Sequence, residues 1–244
     1  MKNQTLFLLL AASSALAQGA FQNLDFESAN LPFIPPGQYG SDVAPSNAFP
    51  GWTVDTAQVL QNNFTLGVPS VDIFGPCGTI GTSEAPVIDE FYSALLVSGY
   101  LPDTPSPIRS SSLSQIGQVP ATAHSIQLKV IGDPAHFTVS LAGQVVPLTQ
   151  IGTGADYVYT HVFCGGDYYV GPTYTLYGAD VSQFAGQTVE LKITEVGTAD
   201  SIYNRALFDD IQFSPSTIPE PNVLTLSALG AVLLTWRFLR QTRP

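Results

Sequence analysis

His124-Ser125-Ile126-Gln127-Leu128-Lys129-Val130-Ile131 alternates without a break. Ser125, Gln127 and Lys129 fall on one face, and Ile126, Leu128 and Val130 on the other. A period of two is that of a β-strand with one face buried. Outward from this stretch the pattern repeats. Phe137, Val139 and Leu141 alternate with Thr138 and Ser140, Ala142-Gly143-Gln144 makes a turn, and Val145 to Leu148 starts the return strand. Thr188 to Glu195 alternates Val189, Leu191 and Ile193 with Glu190, Lys192 and Thr194, and Leu207 to Phe213 forms a last strand. Turn signals recur at short intervals and no long helical period occurs between the two ends. Short alternating strands separated by Gly and Pro turns predict an all-β, antiparallel sandwich in a single domain.

Composition agrees. The chain has 244 residues, 45% hydrophobic and only 11% charged, with 21 Gly and 19 Pro. An ordinary soluble protein carries about 25% charged residues, so a coiled coil and an acidic disordered chain are both excluded. Eight Lys and Arg against nineteen Asp and Glu give a formal net charge of −11. Phosphate neutralisation needs a basic surface, so nucleic-acid binding is not expected.

The two ends differ from the middle. Lys2, the apolar stretch Leu6 to Ala12 and the small-x-small pattern Ala15-Leu16-Ala17 have the order of a secretory signal, with Gln18 as the first mature residue. The apolar stretch is shorter than the roughly 20 residues that span a bilayer. At the other end, Ile218-Pro219-Glu220-Pro221 precedes an apolar run from Val223 to Trp236, then Arg237, Arg240 and Arg243. An apolar helix with a basic end fits a membrane segment whose C-terminus lies inside. The expected division is therefore 1–17 signal peptide, 18–217 ectodomain and 218–244 sorting segment. Between the ends four basic residues (Arg109, Lys129, Lys192, Arg205) face eighteen acidic ones, a net charge near −14 that keeps such a surface soluble.

Pro219-Glu220-Pro221, a short apolar helix and an arginine-rich end resemble the PEP-CTERM sorting signal of exported bacterial proteins. The resemblance implies export by way of signal peptidase, recognition by the membrane enzyme exosortase, and processing near Pro219, Glu220 and Pro221. The destination it implies is the cell surface or extracellular matrix, with membrane anchoring at the C-terminus, transient or permanent.

The ectodomain carries a second resemblance. Phe21-Gln22-Asn23-Leu24-Asp25-Phe26-Glu27, Pro50-Gly51-Trp52, Ser112-Leu113-Ser114-Gln115, Asp180 to Leu191 and Phe208-Asp209-Asp210-Ile211 follow one another in the order of the galactose-binding-like jelly rolls. These include carbohydrate-binding modules. The family's first and last strands often hold a structural calcium ion. The matching residues here are Glu27 with Asp209 or Asp210, and Asp25 nearby; calcium takes six to eight oxygens, which carboxylates, carbonyls and water can supply. A carboxylate at Asp209, placed by alternation on the face of Leu207, Ile211 and Phe213, is costly unless paired or metal-bound.

Cys77 and Cys164 are the only cysteines, each beside glycine. In an oxidising compartment they can form a disulfide, with two free thiols as the alternative. Tyr157, Tyr159, Tyr168, Tyr169, Tyr174 and Tyr177 are dense enough to suggest either sugar-binding faces or ordinary strand surface, and Trp52 suggests core. His124, His136 and His161 make no zinc pattern, no GxSxG elbow occurs, and Asp89-Glu90 is the best exposed acid pair. These observations predict an exported, non-catalytic component of the surface or polysaccharide matrix, with glycan affinity. The alternatives are a small secreted glycan-active enzyme and a structural protein without a ligand.

Overall fold

The computed structural model describes residues 19–34, 40–63, 65–75, 87–100, 109–159, 168–198 and 203–218. Cys77, Cys164, His161, the signal segment 1–17 and the sorting residues from Pro219 onward lie outside the described residues, as do the side chains of Tyr159, Tyr168 and Tyr169. Among the described residues no helix is long and apolar enough to cross a membrane.

Two sheets face one another. The first has five strands in the order β1 (Thr53–Asp55), β5 (Ser111–Gln118), β13 (Thr188–Glu195), β7 (Phe137–Leu141) and β8 (Gln144–Val145). The second has seven: β2 (Gln58–Gln61), β3 (Ser70–Phe74), β4 (Ser93–Ser98), β14 (Asn204–Ser214), β6 (Ser125–Ile131), β12 (Tyr174–Asp180) and β9 (Thr149–Gly154). The all-β sandwich expected from the alternation is what forms. Inward residues of both sheets make one core, in which Leu113, Val139 and Leu191 of the first sheet meet Leu96, Leu128 and Phe208 of the second. Phe137 closes edge-on to Phe208 with ring centroids 5.1 Å apart. Trp52 is also core, stacked on Phe26 at 5.7 Å, and its indole N–H donates to the Asn23 carbonyl.

Several local expectations need correction. β2 and β3 pair in parallel, so the larger sheet is mixed rather than antiparallel throughout. Asn62, directly after β2, is left-handed (φ 49°). The return strand after Ala142-Gly143 is only two residues long. Both turn residues have positive φ, as a tight hairpin with the sheet's twist requires. Val146 still donates to Val139, but Pro147 has no N–H to continue the ladder.

The opening segment is not a strand. Asn23 and Phe26 both have positive φ, and the chain turns through Leu24 to Ser28. Its start instead runs over the end of the first sheet. Ala20 bridges Gln118, and the Gln115 side-chain amide both accepts from the Gln22 N–H and donates to its carbonyl.

In β14 the ladder to β6 breaks between Asp209 and Gln212, with Asp210 at φ 46°. This bulge changes which residues share a face. Asp209 does share one with Leu207, on the outer side of the larger sheet, but Ile211 is turned into the main core with Phe208. The outer face is itself covered. Val87, Ile88 and Val158 pack over Phe74, Leu95, Val97 and Leu207, and β10 (Tyr157–Tyr159) and β11 (Tyr168–Val170) form a small separate hairpin beside them.

Candidate functional site

Lys129 lies in the middle of β6 and points out of the sandwich, opposite to Leu128 and Val130. Bare, such a lysine would face solvent. Here the cover layer meets it with carboxylates from three separate elements. Its Nζ is 2.5 Å from Asp89 in the cover loop, 2.7 Å from Asp156 just before β10, and 3.0 Å from Asp210 in the bulge. The Tyr174 ring lies 5.3 Å from the same ammonium. Burial on its own would lower the Lys129 pKa, but the hydrogen bonds that its ammonium donates to Asp156, Asp89 and Asp210 override it and hold the ammonium charged. Asp156 is disfavoured as an anion by burial, yet hydrogen bonds from Lys129 and Tyr174 keep its pKa below the usual range.

Asp209 sits beneath this group and is only 1% exposed. Its Oδ2 accepts from the Ser93 hydroxyl at 2.6 Å and from the Asp89 N–H at 3.2 Å, and its Oδ1 accepts from the Asp210 N–H at 2.8 Å. Burial raises its pKa well above the carboxylate range, against those hydrogen bonds, and the negative charges of Glu27 and Asp89 push the same way.

Glu27 closes the other side. Its Oε1 accepts from the N–H groups of Phe91 and Tyr92 at 3.0 and 2.8 Å. Burial raises its pKa to about 7; the two N–H donors oppose this, and Glu90 and Asp25 add to it. Glu27 remains half-buried, so protons and solutes can reach it. Two carboxyls thus sit in different environments: Asp209 sealed, its pKa raised by burial with the charge of Glu27 adding to it, and Glu27 half-buried and raised to about 7.

The four acids expected to share a calcium ion are only partly brought together. The charge of Glu27 reaches Asp209, but Asp210 turns to Lys129 and to the Gln212 amide, and Asp25 accepts from the Glu27 N–H. Among the described residues no three acidic, histidine or cysteine side chains gather so as to hold a metal ion. The cation among Asp89, Asp156 and Asp210 is the Lys129 ammonium.

Of the remaining residues singled out by sequence, Asp89-Glu90 does sit at a turn. Glu90 has φ 48°, and Asp89 is a partner of Lys129 rather than a free acid. Tyr177 is core and Tyr157 is exposed. Tyr174 belongs to the site. Lys129 and Asp156 were not singled out, because a polar residue on an alternating strand and an acid before a short hairpin carry no signal of their meeting.

No protein-family profile matches this chain, and no curated protein matches it. Among solved structures it is similar to a Stig cyclase, Fisc, from Fischerella sp. TAU, in complex with (3Z)-3-(1-methyl-2-pyrrolidinylidene)-3H-indole. Identity is 14%, the match covers 80% of this chain and 95% of that one, and the TM-score is 0.40. An apo cyclase from Fischerella sp. matches at 14% identity and TM-score 0.41, covering 80% and 93%. Both are enzymes. The expectation of a non-catalytic surface or matrix component, with or without glycan affinity, finds no support in these comparisons. The likeness is in the course of the chain only, and it brings neither an activity nor a ligand to this protein.

Proposed function

We propose that this chain is an exported protein whose β-sandwich carries a general acid–base site, with Glu27 as the proton-exchanging group and the sealed Asp209 behind it. The observation that carries the reading is the setting of Glu27, whose Oε1 is held by two backbone N–H groups while the side chain stays only half-buried. A general acid or base works best when its pKa lies near the operating pH, and Glu27 at about 7 meets that condition while still open to solutes. The N–H groups of Phe91 and Tyr92 fix its orientation, so the free oxygen faces one direction. Lys129 is fully engaged by three carboxylates and offers no anion site. Substrates accepted here are neutral or cationic, because an anion would meet uncompensated negative charge. Export rests on Lys2 to Ala17 and on Pro219-Glu220-Pro221 with its apolar and arginine-rich sequel, which support passage across the inner membrane and processing by an exosortase. In the ectodomain, the finer family reading of a galactose-binding-like jelly roll rests on the ordered phrases from Phe21 to Ile211.

The test uses a carbodiimide with glycinamide, which modifies carboxyls in their protonated form. Labelling of Glu27 should fall between pH 6 and 8, about its pKa near 7. Labelling of Glu27 that does not change across that range would remove the acid–base reading.

A further inference from the structure

We propose that the flank of the sandwich formed by β8 and β9 faces the surface of a lipid bilayer while the C-terminal segment is attached. The inference rests on the reading that the apolar run from Val223 to Trp236 enters the membrane. It adds which side of the protein that run draws against the lipid.

The exit of the chain fixes the side. After β14 the chain crosses the outer face of the larger sheet. His124, just before β6, donates its N–H to the Ser214 carbonyl at 2.8 Å, and the Ser125 hydroxyl donates to the Ser216 carbonyl at 2.7 Å. Tyr177 and Ala179 of β12 face the core, so Gly178 between them faces out. Ile218 fills the hollow over Gly178, with Ile151 of β9 at the same place. β9 is the last strand of the larger sheet on that side. The chain is therefore held to the domain as far as Ile218. Only Pro219, Glu220, Pro221 and Asn222 stand between it and Val223. That tether reaches about 18 Å at full extension, and the headgroup layer takes up about 5–8 Å of it. The β9 side is thus kept within about 10 Å of the headgroups.

Charge is the second, independent observation. The domain is strongly acidic, yet no charged residue occurs from Phe137 to Ala155 or from Ile211 to Ile218. The first of these stretches contains β8, at the edge of the smaller sheet, and β9, at the edge of the larger one. Val146-Pro147-Leu148 joins them, so the two edges form one side of the sandwich. Gln144, Val145, Gln150 and Thr153 are exposed on it. An acidic face brought this close to a bilayer would be repelled by anionic headgroups; an uncharged one is not. Edge strands are commonly guarded by charged side chains against pairing with another chain. β9 carries none, and a lipid surface that covers it makes the guard unnecessary.

The test reconstitutes the full-length chain in phosphatidylcholine vesicles in which a fraction of the lipid carries a headgroup nitroxide. Gln150 in β9 or Thr53 in β1 is replaced by a fluorescent amino acid; both positions are exposed. β1 is the opposite edge of the smaller sheet, about 19 Å from β8 across the strands. Nitroxide quenching is short-ranged, so it should be severalfold stronger at Gln150 than at Thr53. A Gly-Ser linker of about 20 residues between Ile218 and Pro219, spanning on the order of 25 Å, should reduce that difference. Equal quenching at the two positions, in protein that floats with the vesicles, would overturn the orientation and leave the anchoring reading standing. If that protein is also dimeric, the flank belongs to a second copy. Protein that does not float with the vesicles would overturn the anchoring reading, and the orientation with it.

Discussion

Lys129 and Asp209 stand opposite one another on neighbouring strands, β6 and β14, and on the same outer face, yet they do not pair. The lysine goes instead to Asp89, Asp156 and Asp210, and Asp209 to the hydroxyl of Ser93. The bulge at Asp210 explains this. It places a second carboxylate next along the chain within reach of the ammonium, and three partly exposed carboxylates satisfy that charge better than one sealed acid can. Asp209 is left to the Ser93 hydroxyl and two backbone N–H groups. A pair that looks like a simple salt bridge on paper becomes two devices, a cationic hub and a buried acid.

Removing the hub should be costly. Lys129→Met leaves Asp89, Asp156 and Asp210 close together without their counter-ion. The lysine side chain is 12% exposed, but its partners are 24–35% exposed, so solvent takes up part of the loss. We expect a loss of about 2–3 kcal/mol, below the 3–5 seen when a fully buried pair is broken. Urea unfolding measures it, and the deficit should shrink at molar salt. An unchanged midpoint would show that the three acids do not depend on Lys129.

The core makes a second prediction. Phe208 is fully buried, and it meets Phe137 edge-on at 5.1 Å. Phe208→Ala should destabilise by about 3–5 kcal/mol, the usual cost of emptying a core aromatic site. Phe208→Leu should recover more than half of that in the same unfolding measurement. Equal loss in both variants would mean that ring geometry rather than volume matters here.

Alternation made β6, β7 and β13 legible, because a residue facing a core on one side only leaves a period of two in the sequence. It could not place the larger sheet's outer layer. Val71-Asp72-Ile73 and Ala94-Leu95-Leu96-Val97 are buried on both faces, so they show no alternation, and the cover that buries them comes from distant loops. The bulge was hidden for a related reason: Phe208-Asp209-Asp210-Ile211 looks like regular strand until the positive φ of Asp210 is known. Glu27 was picked out as an acid on an opening strand, and it does approach Asp209. It does so from a turn, fixed by Asn23 and Trp52 rather than by a ladder. Asp89 was noted only as one of an exposed acid pair. Its partnership with Lys129 spans forty residues of chain, and nothing local encodes it.

Gly178 gives a prediction at the exit of the chain. A side chain there would collide with Ile218, the last described residue before Pro219, and press on Ile151. Gly178→Val should therefore expel Ile218 from the sheet and cost about 1–3 kcal/mol by overpacking. Limited proteolysis should show faster cutting near residue 218 in the variant than in Ile218→Ala. Equal rates would mean that the Gly178 hollow does not hold the exit segment.

The last prediction concerns pH. Asp72 and Glu195 are both fully buried. The Asp72 Oδ2 accepts from the Asn63 N–H at 2.9 Å, but its Oδ1 has no partner, and neither oxygen of Glu195 has one. Burial raises Asp72 to about 8, with the backbone donors of Asn63 and Asn62 opposing it. Burial, with a smaller push from Asp133, raises Glu195 to about 9. In the unfolded chain both titrate near 4. Below pH 4 each is protonated in both states, and folding is not penalised. As pH rises past 4 the unfolded chain releases these protons while the folded one keeps them, so the unfolded state binds fewer protons and stability falls. The fall continues until the pH passes the folded values, near 8 for Asp72 and 9 for Glu195. For these two groups the stabilising window is therefore acidic. Thermal melts between pH 5 and 9 should show a melting temperature that declines with pH. Asp72→Asn and Glu195→Gln remove the ionisable group and keep its shape, so each should flatten the slope and raise the melting temperature at pH 8. A wild-type slope that is level over that range, or unchanged in both variants, would mean that the two carboxyls are ionised in the folded protein.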